Sequence, residues 1–356
     1  MKMFSTAKLV GAALALAVLI PAPSLRAEEA KVVRLGYFPN ITHAQAVVGV
    51  GRGDFQKALG PDVKLDTLTV NAGPSITEAI FAGRLDLAYV GPSPTISGFQ
   101  ASKGEEIRVV SGAALNGVLV IGNKKRGITK LEQLKGGRIA TPQLGNTQDI
   151  SAKHYVVDNL HSQLKEKGGD TEVIPVNNPD IEILFEKDQI DAAWVPEPWG
   201  TRIVDKGLAN IIAEEKDLWP EKKFVLTNIV ARREFLEKNP ELVKKFLAAH
   251  VALTKELQEN PRQFDTILNS ELKRLTGKDL PPALLDGSFK HVSFATDPSP
   301  ESFKAFFEHG KQLGLVRGDS LDVNKLIDTT LLKQVLATAP ATARSADAPT
   351  SAPAGK

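Results

Sequence analysis

Short apolar runs of two-residue period alternate along this chain with longer stretches of helical spacing. Residues 32–37 and 85–90 read as buried strands, and residues 63–70 alternate apolar and polar side chains as a half-buried strand does. Between them the pattern predicts a turn over 38–42, a helix starting near His43, and a short helix over 74–81. Pro74 lies in the first turn of that helix and Gly83 is its stop. Strand–helix alternation of this kind predicts α/β architecture with parallel strands. From about Thr227 the spacing turns mostly helical. Asn239-Pro240-Glu241 opens a helix with a proline and an acid in its first turn, and Val243, Phe246, Leu247, His250, Leu253 and Leu257 share one face. His250 on that face is expected to be a core residue. Phe303, Phe306, Phe307 and Leu313 mark a second amphipathic helix.

One stretch recurs. Residues 84–94 read apolar-Asp-apolar-Ala-aromatic-Val around Asp86 and then enter a proline turn, and residues 189–199 repeat the pattern around Asp191. The strand and loop at 32–42 echo 138–146 in the same way. Two lobes of similar build, about a hundred residues apart in sequence, account for both echoes, and 356 residues is a length for about two domains.

The two ends differ from this pattern. Residues 1–27 have Lys2 and Lys8 ahead of an apolar run over 9–20, then Pro21 and Pro23, with Ala27 or Ser24 as the cleavage position. The run is shorter than the ~20 residues a spanning helix needs, so the segment reads as a cleavable signal peptide and the protein as exported. Its removal takes away Lys2, Lys8 and Arg26 and no acid, moving the formal charge from +2 to −1. Residues 337–356 are mainly Ala, Pro, Ser and Thr and are expected to form a disordered tail.

Composition narrows the chemistry. The chain has no cysteine, which excludes disulfides, thiol catalysis, Cys-ligated zinc and iron–sulfur clusters. The near-neutral charge gives no footprint for nucleic acid. No nucleophile elbow, phosphate loop or metal-binding histidine pair is present, and the six histidines show no ligand spacing, so neither a metal nor a cofactor is expected. The informative segments are four loops that follow strands and open helices, at 38–43, 91–95, 141–149 and 196–199. Ligands of parallel α/β lobes sit at such strand ends, where helix N-termini favour anions. The candidate ligand-binding residues are Asn40, Thr42, His43, Gly91, Ser93, Gln143, Asn146, Thr147, Gln148, Trp194 and Glu197. Most are neutral hydrogen-bonders, a set suited to reversible capture of a small anion, although several would serve equally as helix caps. Trp194 and Trp199 could wall an apolar part of the ligand. Asp149 reads most simply as a cap. Glu197 could either receive an ammonium group or cap a helix.

With these residues in view, the chain resembles the periplasmic substrate-binding proteins of ABC importers, in the aliphatic sulfonate, taurine and nitrate group. The matching stretches are Leu35-Gly36-Tyr37-Phe38-Pro39-Asn40-Ile41-Thr42-His43-Ala44, Asn71-Ala72-Gly73-Pro74-Ser75, residues 82–94, residues 134–149 and Asp191-Ala192-Ala193-Trp194-Val195-Pro196-Glu197-Pro198-Trp199. The resemblance implies a two-lobed type II binding-protein fold with two interlobe crossovers, near 114–117 and 226–230. Lobe 1 would comprise 30–115 and 229–336, and lobe 2 would comprise 116–228. It further implies a non-enzymatic, monomeric periplasmic receptor that takes a small oxyanion, an alkanesulfonate first, to an inner-membrane permease and its ATPase. Nitrate and a thiamine-pyrimidine precursor are alternative ligands. The cysteine-rich motif of the pyrimidine-synthesising relatives is absent. An exported enzyme on the same fold, with His43 near Glu197 as its candidate pair, is the reading from another class. A sensory receptor that presents its ligand to a membrane kinase is a third.

Overall fold

A computed structural model describes residues 31–338, and the proposed signal peptide lies outside them. So does the expected tail, apart from residues 337 and 338, which close the last helix, Thr330–Thr338. The strands are β1 (Lys31–Tyr37), β2 (Val63–Thr69), β3 (Leu87–Val90), β4 (Ile107–Asn116), β5 (Val118–Asn123), β6 (Arg138–Thr141), β7 (Glu172–Pro175), β8 (Ala192–Pro196), β9 (Ala209–Glu214), β10 (Val225–Arg232) and β11 (Val292–Phe294). They form two sheets, ordered β11-β4-β10-β3-β1-β2 and β7-β6-β8-β5-β9. The strands expected from the apolar pattern at 32–37, 63–70 and 85–90 are β1, β2 and β3.

The internal echo is a structural repeat. β1 lies parallel to β2 and β3, and β6 lies parallel to β7 and β8. Asp86 donates its backbone N–H to Arg34 O at 2.9 Å, and Asp191 does the same to Arg138 O at 2.9 Å. In return the Arg34 N–H donates to Asp86 Oδ2 at 3.0 Å and the Arg138 N–H to Asp191 Oδ2 at 2.7 Å. Each carboxylate therefore caps the strand edge beside it and pins the parallel register.

The sheets are mixed, which corrects the expectation of purely parallel strands. β10 runs antiparallel to both β3 and β4, and β5 runs antiparallel to both β8 and β9. The reason is the path of the chain between sheets. It leaves the first sheet at Gly117, between β4 and β5, and returns over 215–224 into β10, so each strand next to a crossing runs against its neighbours. The boundary expected at 228/229, and the crossover at 226–230, fall inside β10, which belongs wholly to the first sheet. Gly117 has φ +79°, and a Cβ there would stand 2.7 Å from Val292 Cγ2 and 2.9 Å from Thr42 Cγ2, so the crossing needs glycine on both counts.

The helix Pro240–Glu259 buries Val243, Phe246, Leu247, His250, Leu253 and Leu257 against the first sheet. His250 is a core residue as expected, with Nδ1 2.9 Å from the Tyr89 hydroxyl and Nε2 2.9 Å from Gly112 O. A second apolar cluster runs through both sheets, from Ile76, Val90 and Phe306 to Val120, Ile139 and Trp194, and packs the two halves against each other. Among the described residues no helix is long and apolar enough to cross a membrane.

Candidate functional site

Where the strand ends of the two sheets face each other they enclose a cavity of about 20 Å3. The first sheet contributes Phe38, Asn40, Thr42 and His43 after β1, Asn71, Ala72 and Gly73 after β2, Gly91 and Pro94 after β3, and Leu226 and Thr227 on β10. From the second sheet come Pro142, Asn146, Thr147 and Gln148 after β6, Asn178 after β7 and Pro196 on β8. Four helices begin on this wall: Gly73–Phe81, Pro92–Ala101, Thr147–His154 and Asn178–Glu186. Their first turns present backbone N–H groups without helical partners and the positive ends of their dipoles. No ionisable side chain except His43 stands on the wall.

Hydrogen bonds tie the two sides across the cleft. Trp199 Nε1 donates to Asn40 Oδ1 at 2.9 Å, and the Ile41 N–H donates to Glu197 O at 3.2 Å. Asn71 Nδ2 donates to Pro142 O at 3.2 Å, and its Oδ1 accepts from the Asn178 N–H at 3.4 Å. Gly91 approaches so closely that a Cβ there would lie 2.3 Å from Thr147 Oγ1 and 3.2 Å from Leu226 O. His43 is fully buried, and burial pushes its imidazole down to about 3. Its Nδ1 accepts from the Phe38 N–H at 3.3 Å, which leaves Nε2–H as the ring's donor. Against this order, several buried polar atoms lack a partner: Thr147 Oγ1, Thr227 Oγ1 and Asn178 Oδ1 on the wall, with Ser93 Oγ, Gln143 Oε1 and both side-chain polar atoms of Asn228 beside it in sequence. Buried polar atoms are nearly always paired, so such a cluster marks a place where a bound molecule supplies the partners.

A model of the NMT1-like family matches residues 26–267. The chain belongs to the NMT1-like family. It is 28% identical to the taurine-binding periplasmic protein of Escherichia coli over 286 residues, covering 78% of this chain and 83% of that protein. A putative aliphatic sulfonates-binding protein of Bacillus subtilis is 26% identical over 227 residues, 62% of this chain and 63% of that protein. Among solved structures, the periplasmic nitrate-binding protein NrtA of Synechocystis superposes with a TM-score of 0.72 at 17% identity, covering 88% of this chain and 91% of that one. The alkanesulfonate-binding protein SsuA of Xanthomonas axonopodis, bound to MOPS, gives 0.69 at 18%, covering 85% and 99%. The fold of this NMT1-like protein is the two-lobed type II periplasmic binding-protein fold, each lobe carrying one sheet.

Of the residues singled out in the sequence, the structure brings Asn40, Thr42, His43, Gly91, Asn146, Thr147 and Gln148 onto the cavity wall. Asn146 also caps its helix, accepting from the Asp149 N–H at 2.8 Å while its Nδ2 donates to Gln148 Oε1 at 3.0 Å. Four residues are not on the wall. Ser93 and Gln143 are next to the wall residues Pro94 and Pro142 in sequence. Trp194 lines a different cavity, of about 310 Å3, with Tyr155, Trp219 and the stacked pair His154 and His309, and its indole donates to Glu215 Oε2 at 2.7 Å. The Glu197 carboxylate accepts from Thr201 Oγ1 at 2.7 Å and from the Thr201 N–H at 3.2 Å, so it caps its own helix. Neither it nor His43 is hydrogen-bonded to the other, which leaves the candidate enzyme pair unassembled.

Sequence reasoning missed Asn71, Asn178, Leu226 and Thr227. Asn178-Pro179 carries the same helix-opening signal as Asn239-Pro240 and could have been found. Thr227 could not, because the register of β10 against β4 shifts on both sides of it, a non-local irregularity in pairing.

Proposed function

We propose that this NMT1-like protein is an exported, monomeric solute-binding receptor of an ABC importer, working in the periplasm. It captures a small oxyanion, an alkanesulfonate in the first instance, between its lobes and carries it to a membrane permease with its ATPase. The observation that supports this most is the wall itself: four helix N-termini from both lobes, neutral donors, and unpartnered hydroxyls at Thr147 and Thr227 around one cavity. Such a wall stabilises negative charge with fixed dipoles and binds reversibly, since no ion pair must be broken for release. The relatives named for taurine and for aliphatic sulfonates agree with it. The interlobe bonds of Asn40 and Asn71 exist only when the lobes meet, so ligand that favours closure also favours the surface a permease would read. A second reading, nitrate, is favoured by the small volume of the cavity.

Calorimetry of the mature protein with methanesulfonate, ethanesulfonate and nitrate tests the proposal. Binding to the parent and a loss of about 1 kcal/mol in Thr147→Val, the worth of one hydrogen bond, is the expected outcome. Unchanged affinity in Thr147→Val would remove this hydroxyl from the site. Binding of a thiamine-pyrimidine precursor alone, or recovery of a chemically altered ligand, would overturn the reading.

A further inference from the structure

Resting on the oxyanion reading of the cleft, we propose that this site selects against ligands carrying an ammonium group. Sulfonates with a methyl or hydroxyl end are then its ligands in preference to aminosulfonates of the same length, although a taurine-binding protein is among its relatives.

A zwitterion sealed between lobes must have both of its charges met without water. Its oxyanion end is met here by the Thr147 and Thr227 hydroxyls, the His43 ring and the helix N-termini. The ammonium end needs a carboxylate or several free acceptor oxygens. Two acids lie in the cleft loops, but the chain's own donors already occupy both. Asp149 accepts from the Gly145 N–H at 2.8 Å and from Thr141 Oγ1 at 3.2 Å, and Lys153 Nζ stands 3.3 Å away. Glu197 is held twice by Thr201. Both are fully buried away from the cavity wall. The wall's unpartnered side-chain oxygens are Asn178 Oδ1, which can only accept, and the Thr147 and Thr227 hydroxyls, which the oxyanion reading assigns to the sulfonate; all three are neutral. The field adds to the mismatch: four helices turn their positive ends to the cavity, which attracts the sulfonate and repels the ammonium. A buried charge without a partner costs far more than the neutral group it replaces.

The test uses three ligands with the same two-carbon chain, ethanesulfonate, 2-hydroxyethanesulfonate and taurine, titrated calorimetrically into the mature protein, the hydroxyl compound matching taurine in length. The expected result is that the first two bind at least about tenfold more tightly than taurine. Asn178→Asp, which puts a carboxylate on the wall, is expected to shrink or invert that ratio, chiefly by weakening ethanesulfonate. Taurine binding as tightly as ethanesulfonate to the parent overturns the selection and leaves the oxyanion receptor intact. Failure of all three and of nitrate to bind a protein that melts cooperatively overturns the receptor reading, and this inference with it. Should Asn178→Asp fail to fold, the ranking on the parent decides alone.

Discussion

Residues 84–94 and 189–199 begin alike and end differently. At their starts the two aspartates make the same pair of backbone bonds, and each also offers its carbonyl to the neighbouring antiparallel strand: Arg232 N–H to Asp86 O at 2.8 Å, Asn123 N–H to Asp191 O at 2.7 Å. The scaffold end repeats because joining parallel strands in register poses one problem with one compact solution. At the cleft ends the lobes part company. After β3, Gly91 lets the opposite lobe approach and Pro92–Ala101 opens toward the cavity. After β8, Glu197 turns back to Thr201 and Trp199 reaches across to Asn40. One loop borders the cavity and its counterpart bonds the two lobes together, so a repeated framework is put to two uses.

The sharpest way to break this comparison is at the aspartates. Asp86 is buried between two arginines, with Arg232 Nη2 at 2.9 Å and Arg34 Nη1 at 3.2 Å. Asp191 keeps 18% of its side chain exposed beside Arg126. Asp86→Ala should lower unfolding free energy by roughly 3 to 5 kcal/mol, the cost of stranding a partly buried charge. Asp191→Ala should cost about 1 to 2 kcal/mol, measured by the same urea titration. Equal losses would mean that the lobes depend on their capping carboxylates alike.

A somewhat smaller effect contrasts buried groups of the two lobes by pH. The first-sheet side buries neutral histidines: burial holds His43 at about 3 and His250 at about 4, against an ordinary 6.5. Their stabilising contribution is present above 6.5 and is lost as pH falls toward those values. On the second-sheet side, burial raises Glu215 from 4.5 to about 7, opposed by donors from Ser151, Trp194 and Trp219. Its contribution is present below 4.5 and is lost as pH rises to 7, the opposite sense to His43 and His250. Glu215→Gln, which stays neutral, should gain stability relative to the parent between pH 4.5 and 8, by up to about 3 kcal/mol. A pH-independent difference between the two proteins would show that Glu215 does not titrate in this range.

A third effect falls on closure rather than folding. Gly91→Ala places a methyl 2.3 Å from Thr147 Oγ1 across the cleft. Because φ at this position is −75°, alanine can adopt the backbone conformation, and with the lobes apart its one tight contact is Leu226 O at 3.2 Å, so the open form should still fold. Sulfonate affinity should drop by about 1 to 3 kcal/mol from overpacking while the ligand-free melting temperature barely moves. Unaltered affinity would mean that the lobes do not close onto ligand at Gly91.

The outline of the fold was open to sequence reasoning where the signal was periodic. The apolar face with His250, the short helix after Pro74 and the Asp86/Asp191 echo all follow from local spacing and reappear as drawn. Seven of the candidate site residues reach the cavity because each follows a parallel strand, and strand ends are where such sheets place their openings. Glu197 and Trp194 could not be placed this way. Each had a cleft role and a structural role available, and the choice depended on Thr201 and Glu215, partners that only folding brings near.

The sequence by itself therefore determined the α/β lobes, their repetition and the loops that would face a ligand, since these rest on patterns within about ten residues. Tertiary structure alone decided which polar atoms stay unpartnered, that Thr227 turns to the cavity beside a register shift, and that both cleft acids are occupied from within. Those outcomes depend on the pairing of groups far apart in the chain, and a buried polar group takes whichever partner the completed packing puts in reach.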